Sequence, residues 1–153
     1  MAKRSAGLLL YRQTNGLEIF LVHPGGPFWS KKDDGAWSIP KGEYPDSEDP
    51  LAAARREFEE ETGCAVDGEF VPLGEIRQAG GKLVAVWAIA GDIEAGQIRS
   101  NTFSLEWPPR SGKIQEFPEV DRAAWFTLAD AEIKLLPAQL PFLTRLAQKL
   151  DVR

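Results

Sequence analysis

Within the segment Arg56-Glu57-Phe58-Glu59-Glu60-Glu61, four carboxylates fall in six residues. Placed on a helix at 100° per residue with Glu57 at zero, Glu61 stands at about 40° and Glu60 at about 300°. These three share one face, while Glu59, near 200°, points away into solvent. Like charges packed so closely repel unless something cationic joins them. A hard divalent cation that prefers carboxylate oxygen, Mg²⁺ or Mn²⁺, meets that need. Arg56, at about 260°, lies one step from Glu60 and is placed to hold its carboxylate. A plain amphipathic helix with a solvated acidic face would also carry this pattern.

The element that must position these groups is well marked. Asp49 suits an N-cap, Pro50 the first helical position, and Gly63 a left-handed residue past the end. Leu51, Ala54 and Phe58 fall at roughly 60° to 120°, an apolar stripe bordering the acidic face. Burying that stripe sets the carboxylates at the edge of the core.

The whole stretch from 42 to 64, GEYPDSEDPLAAARREFEEETGC, resembles the Nudix box. Gly42, Glu48, Arg56-Glu57, Glu60-Glu61 and Gly63 fill the charged and glycine positions of that pattern at its spacing. Cys64 stands where an aliphatic residue is usual, and Glu43 where many members have a second glycine. The resemblance implies an α/β fold, a Nudix-type α/β/α sandwich with a mixed β-sheet between helices, over one domain spanning 1–153. It implies Mg²⁺- or Mn²⁺-dependent hydrolysis of a nucleoside diphosphate linked to another group. By the same resemblance Glu57, Glu60 and Glu61 become metal ligands, Arg56 their orienter, and Gly42 and Glu48 the shapers of the metal loop. Family members often carry a Glu-x5-Trp on a loop before a strand. Glu119 and Trp125 match it, which makes Glu119 a further ligand or general base, with Glu116 second. The lead Trp37-Ser38-Ile39-Pro40-Lys41-Gly42 resembles members acting on nucleotide polyphosphates and diphosphoinositol polyphosphates, and marks Lys41 as a phosphate contact.

Composition bounds the rest. The chain has 153 residues, 43% hydrophobic and 27% charged, with a net charge of −5. That suits a soluble domain and disfavours a broad nucleic-acid surface. One cysteine excludes an internal disulfide, and one histidine, His23, excludes a multi-histidine zinc site. No apolar run approaches a membrane span. A cytoplasmic monomer or homodimer with a small nucleotide substrate is expected.

Along the chain, residues 5–11 and 17–23 read as a strand hairpin turning at 14–16, the first strand being central. Residues 24–35 are loop, bearing Phe28, Trp29, Lys31 and Lys32, where aromatics can stack on a base and lysines meet phosphate. His23 reads as a strand-end residue or a substrate contact. A short strand ending at Pro40 precedes the box. Residues 69–78 read as a strand bulged or edged at Pro72, and 83–90 as a strand buried on both faces, with Trp87 in the core. Residues 91–112 carry no clear period. The run from 107 to 113 reads as a lid, with Arg110 and Lys113 for phosphate, or as a solvated loop. A short helix from Leu128, a break at Pro137, and a helix bearing Leu140, Leu143, Leu146 and Leu150 close the chain. Rival functions stay open: hydrolysis of a nucleoside triphosphate, an oxidised one or a sugar nucleotide, or nucleotide binding without cleavage. Residues 77–83 lack the Tyr or Pro that often marks dinucleotide polyphosphate, coenzyme A and ADP-ribose subfamilies.

Overall fold

The computed structural model describes residues 3–151. β1 (Arg4–Gln13) and β2 (Leu17–Pro24) form the expected antiparallel hairpin. β5 (Leu83–Ala90) runs parallel to β1 on its other side, and β4 (Val71–Arg77) closes that edge. β8 (Val120–Thr127) pairs with β2, so the main order is β4-β5-β1-β2-β8 with β1 central. β3 (Lys41–Glu43) also pairs with β1. One face carries α1 (Pro50–Thr62), the other α2 (Leu128–Lys134) and α3 (Leu140–Leu150). The result is a mixed sheet between helices.

Alternation along the strands splits the interior in two. Leu8, Leu10, Phe20 and Val22 meet Ala53, Ala54 and Phe58 of α1. Leu9, Ile19, Leu21 and Val86 meet Phe142, Leu143 and Leu146 of α3. The spacing of those C-terminal apolar residues is what turns α3 onto the sheet.

Three expectations change. β5 is not buried on both faces: Val84, Val86 and Ala88 are buried, whereas Leu83, Ala85 and Trp87 are half-covered. Trp87 packs against the edge of the α1-side core rather than within it. The segment before the box is not a strand ending at Pro40. Trp37 and Ser38 make single bridges, and the ladder begins at Lys41. Last, residues 102–106 of the unassigned run 91–112 form a strand, and so do 114–118, read as loop. β6 (Thr102–Glu106) and β7 (Ile114–Pro118) form a separate two-stranded sheet whose tip is 107–113. Alternating Phe103 and Leu105, with Phe117 opposite Phe103, hold it together.

Candidate active site

α1 begins where Asp49 accepts the Ala52 N–H at 3.0 Å, and ends at Gly63 with φ 76°. That positive φ needs glycine, and a Cβ there would also strike the Arg99 carbonyl. Residues 99–101 lie along this end. The Arg99 N–H donates to the Thr62 carbonyl at 2.8 Å, and the Asn101 N–H to the Glu60 carbonyl at 2.9 Å. These bonds satisfy carbonyls that a helix end leaves free. Phe58, Ala53 and Ala54, each with no exposed surface, fix the helix's rotation. The acidic face then turns toward β3, and Glu59 lies exposed as the helical count requires.

Close backbone approach brings β3 to the acidic face. A Cβ at Gly7 would sit 2.6 Å from the Pro40 carbonyl oxygen. A Cβ at Gly42 would land on the Glu57 carboxyl group. Glycine at 42 is therefore what lets Glu57, only 8% exposed, lie against the loop. From the opposite face, buried Gln139 accepts the Ile39 N–H at 2.9 Å and donates to the Ser38 hydroxyl at 3.0 Å. The Leu8 N–H donates to the Pro40 carbonyl at 3.2 Å, so the segment leading to Lys41 is held from both sides.

Arg56 ties the acidic groups together. It donates to both Glu48 oxygens at 2.9 and 2.8 Å, to Glu57 at 2.9 Å and to both Glu60 oxygens at 3.2 Å. One guanidinium does not neutralise the cluster. Burial, then Glu57 and Glu119, push the Glu61 carboxyl up to about 8. Burial holds Glu57 above the ordinary carboxylate range, with Arg56 opposing and Glu60 adding. Glu119, open to solvent on one side, is raised by partial burial and then by Glu60. Lys41 is lowered, first by burial and then by Lys82, against the pull of Glu61. Among the described residues, no three acidic, His or Cys side chains converge closely enough to enclose an ion. The donor chemistry nonetheless fits a hard divalent cation: four carboxylates share one field and are short of positive charge.

A cavity of about 220 Å³ opens here, lined by Lys41, Glu61, Glu119, Ser38, Val22 and Leu136 among others. Glu119 reaches it from the bend between β7 and β8. Glu116 faces out from β7, opposite Ser104. Lys31 and Lys32 border a different groove, of about 480 Å³, with Trp37, Arg122 and Lys134. Half-buried Trp29 lies under Lys32, 5.0 Å from its ammonium to the ring. Arg110 is exposed at the β6–β7 tip with φ 62°, and that tip meets the loop where Phe28 packs edge-on to Trp107 at 5.3 Å. His23 is wholly buried, bonded to Asp121 at 2.9 Å and to the Lys32 carbonyl at 2.6 Å, so its contacts are internal. Gln139 and residues 99–101 have no sequence signal: their partners lie far away in the chain.

A family model for the NUDIX domain matches residues 1–146. The chain belongs to the NUDIX family. Membership carries the enzyme class, a Nudix pyrophosphohydrolase. Similar folds occur in a Caenorhabditis elegans Ap4A hydrolase binary complex, 21% identical over 96% of this chain and 98% of that one, TM-score 0.64. The NUDIX domain of Shewanella oneidensis NrtR, complexed with ADP ribose, is 16% identical over 98% and 89%, TM-score 0.67. A MutT structure from work on Aliivibrio salmonicida and Vibrio cholerae is 18% identical over 95% and 96%, TM-score 0.58. No curated protein sequence matches this Nudix chain. Among its described residues no helix is long and apolar enough to cross a membrane.

Proposed function

We propose that this Nudix protein cleaves the pyrophosphate link of a nucleoside diphosphate joined to another group, using Mg²⁺ or Mn²⁺, with nucleotide polyphosphates, dinucleoside polyphosphates among them, as its first substrate class. The observation that carries the reading is one cavity holding Lys41 beside Glu61 and Glu119, backed by Glu57 and Glu60. Glu57, Glu60 and Glu61, with the Gly42 loop, are the residues that would hold the ion. When bound there, a divalent cation screens phosphoryl oxygens and makes water more acidic.

The chain's own groups do the rest. Arg56 keeps Glu48, Glu57 and Glu60 in fixed orientations. Glu119 takes the proton from the attacking water; partial burial and then Glu60 raise its affinity for protons. Lys41 meets a phosphate oxygen as a point charge. Trp29, Lys31, Lys32 and Arg110 lie outside this cavity, so only a long substrate would reach them. The resemblance of the Trp37–Gly42 lead to enzymes of nucleotide polyphosphates, and the fold shared with an Ap4A hydrolase, favour such a substrate. The free thiol of Cys64 suits a reducing, cytoplasmic setting.

The test is product analysis over dinucleoside polyphosphates, nucleoside triphosphates, ADP-ribose and sugar nucleotides, with Mg²⁺ and with a chelator. Metal-dependent turnover strongest on dinucleoside polyphosphates supports the reading. Preference for a triphosphate or sugar nucleotide would move the substrate class. A second reading, ligand binding without cleavage, rests on the fold shared with the NrtR domain that holds ADP ribose. It requires tight binding with no turnover of any compound.

A further inference from the structure

The bend carrying Glu119 is tethered to the carboxylate helix by a short segment, residues 99–101. Two helix carbonyls, of Glu60 and Thr62, accept from Asn101 and Arg99 at 2.9 and 2.8 Å. On its other side, the Asn101 carbonyl accepts the Glu119 N–H at 2.8 Å. Ser100 completes the tether. Its hydroxyl accepts the Val120 N–H at 2.9 Å and donates to that same Asn101 carbonyl at 2.8 Å. Few side chains can do both at once; a hydroxyl has one donor and two acceptor sites. Among the described residues the Glu119 carboxylate receives no hydrogen bond from the protein, so its backbone decides where it stands. Gly25 adds one further restraint, donating to the Glu119 carbonyl at 2.9 Å.

We infer that Ser100 is a positioning residue for Glu119, fixing the proton acceptor in register with the carboxylates of α1. The inference rests on the reading of Glu119 given above. Ser100 touches no part of the cavity; it acts through the backbone of residues 119 and 120. Misplacing a reacting group by about 1 Å can cost on the order of a hundredfold in rate.

The test is a cycle of Ser100→Ala and Glu119→Gln, read as kcat, KM and the pH profile of kcat, with Ser100→Thr as the conservative variant. Ser100→Ala is expected to lower kcat about tenfold with KM within about twofold, and to shift the acid limb of the profile, because the misplaced carboxylate meets its neighbours at new distances. Ser100→Thr keeps the hydroxyl and is expected to restore most of the rate. In the Glu119→Gln background Ser100→Ala should cost almost nothing further, since its effect passes through the missing carboxylate. An equal loss in both backgrounds, wild-type kcat for Ser100→Ala, or failure of Ser100→Ala to fold would each overturn the inference, the last by placing the hydroxyl in the fold itself. Wild-type turnover by Glu119→Gln would remove Glu119 from the chemistry and overturn the parent assignment and the inference together.

Discussion

Replacing Glu61 with glutamine should make the metal-free protein more stable at pH 8. Glu61 titrates at about 8 in the folded chain, against 4.5 for an unperturbed carboxyl. Through that interval the folded chain keeps a proton that the unfolded chain gives up. Its contribution is therefore fully present below about pH 4.5 and is lost as pH rises through about 8. At 1.36 kcal/mol per unit the loss approaches about 5 kcal/mol over the whole interval, about 3 kcal/mol of it between pH 5.5 and pH 8, if nothing relaxes. Side-chain relaxation and water entry bring the expectation to about 2 kcal/mol. Glutamine keeps the shape and cannot ionise. The assay is urea unfolding in a chelator at pH 5.5 and pH 8. Wild type should lose about 2 kcal/mol between the two, and Glu61→Gln less than half of that, because Glu57 and Glu119 still titrate in the same direction. Added Mg²⁺ should then reverse the order at pH 8, since a ligand of the folded state stabilises the chain that binds it better. Equal pH slopes in the two proteins, or a less stable variant at pH 8 without metal, would refute the electrostatic account of the cluster.

Other consequences follow from particular contacts. Gly42→Ala puts a methyl group where the Glu57 carboxyl lies, so Mn²⁺ affinity measured by electron paramagnetic resonance should fall at least tenfold, while far-ultraviolet circular dichroism stays as in wild type. Gln139→Leu leaves the buried Ile39 N–H without its acceptor and should cost about 1–3 kcal/mol in urea unfolding. Arg56→Ala removes the cation that, among the described residues, bonds to Glu48, Glu57 and Glu60 together. Its pairs are partly solvated, so the loss in chelator should be about 1–2 kcal/mol by thermal or urea unfolding, and smaller at saturating Mg²⁺.

The parts legible in the sequence are those set by neighbours along the chain. Asp49, Pro50 and Gly63 mark both ends of α1, and the spacing of Leu51, Ala54 and Phe58 gives its buried stripe, so the orientation of Glu57, Glu60 and Glu61 follows from counting. The β1–β2 hairpin and α3 are periodic and were equally readable. What escaped depends on partners far away. Phe103 and Phe117 are strand residues because they face each other across the hairpin, and the Gly- and Pro-rich run between their strands hides that pairing. Leu83, Ala85 and Trp87 look like core by composition, but the fold leaves them half-covered. Lys31 and Lys32 read as phosphate contacts from their charge, whereas the loop's ties to His23 and to α2 set them along a groove apart from Lys41. Gln139 and Ser100 act across the fold on segments that nothing local identifies.

The most direct test of the central claim is Mg²⁺-dependent turnover of dinucleoside polyphosphates by wild type and Glu60→Gln, side by side at saturating Mg²⁺. If the α1 carboxylates hold the ion that makes the chemistry possible, wild type turns over only with metal. The variant, folded as judged by circular dichroism, should then lose at least about a hundredfold in kcat. Wild-type turnover that survives a chelator, or a variant as fast as wild type, would contradict the account.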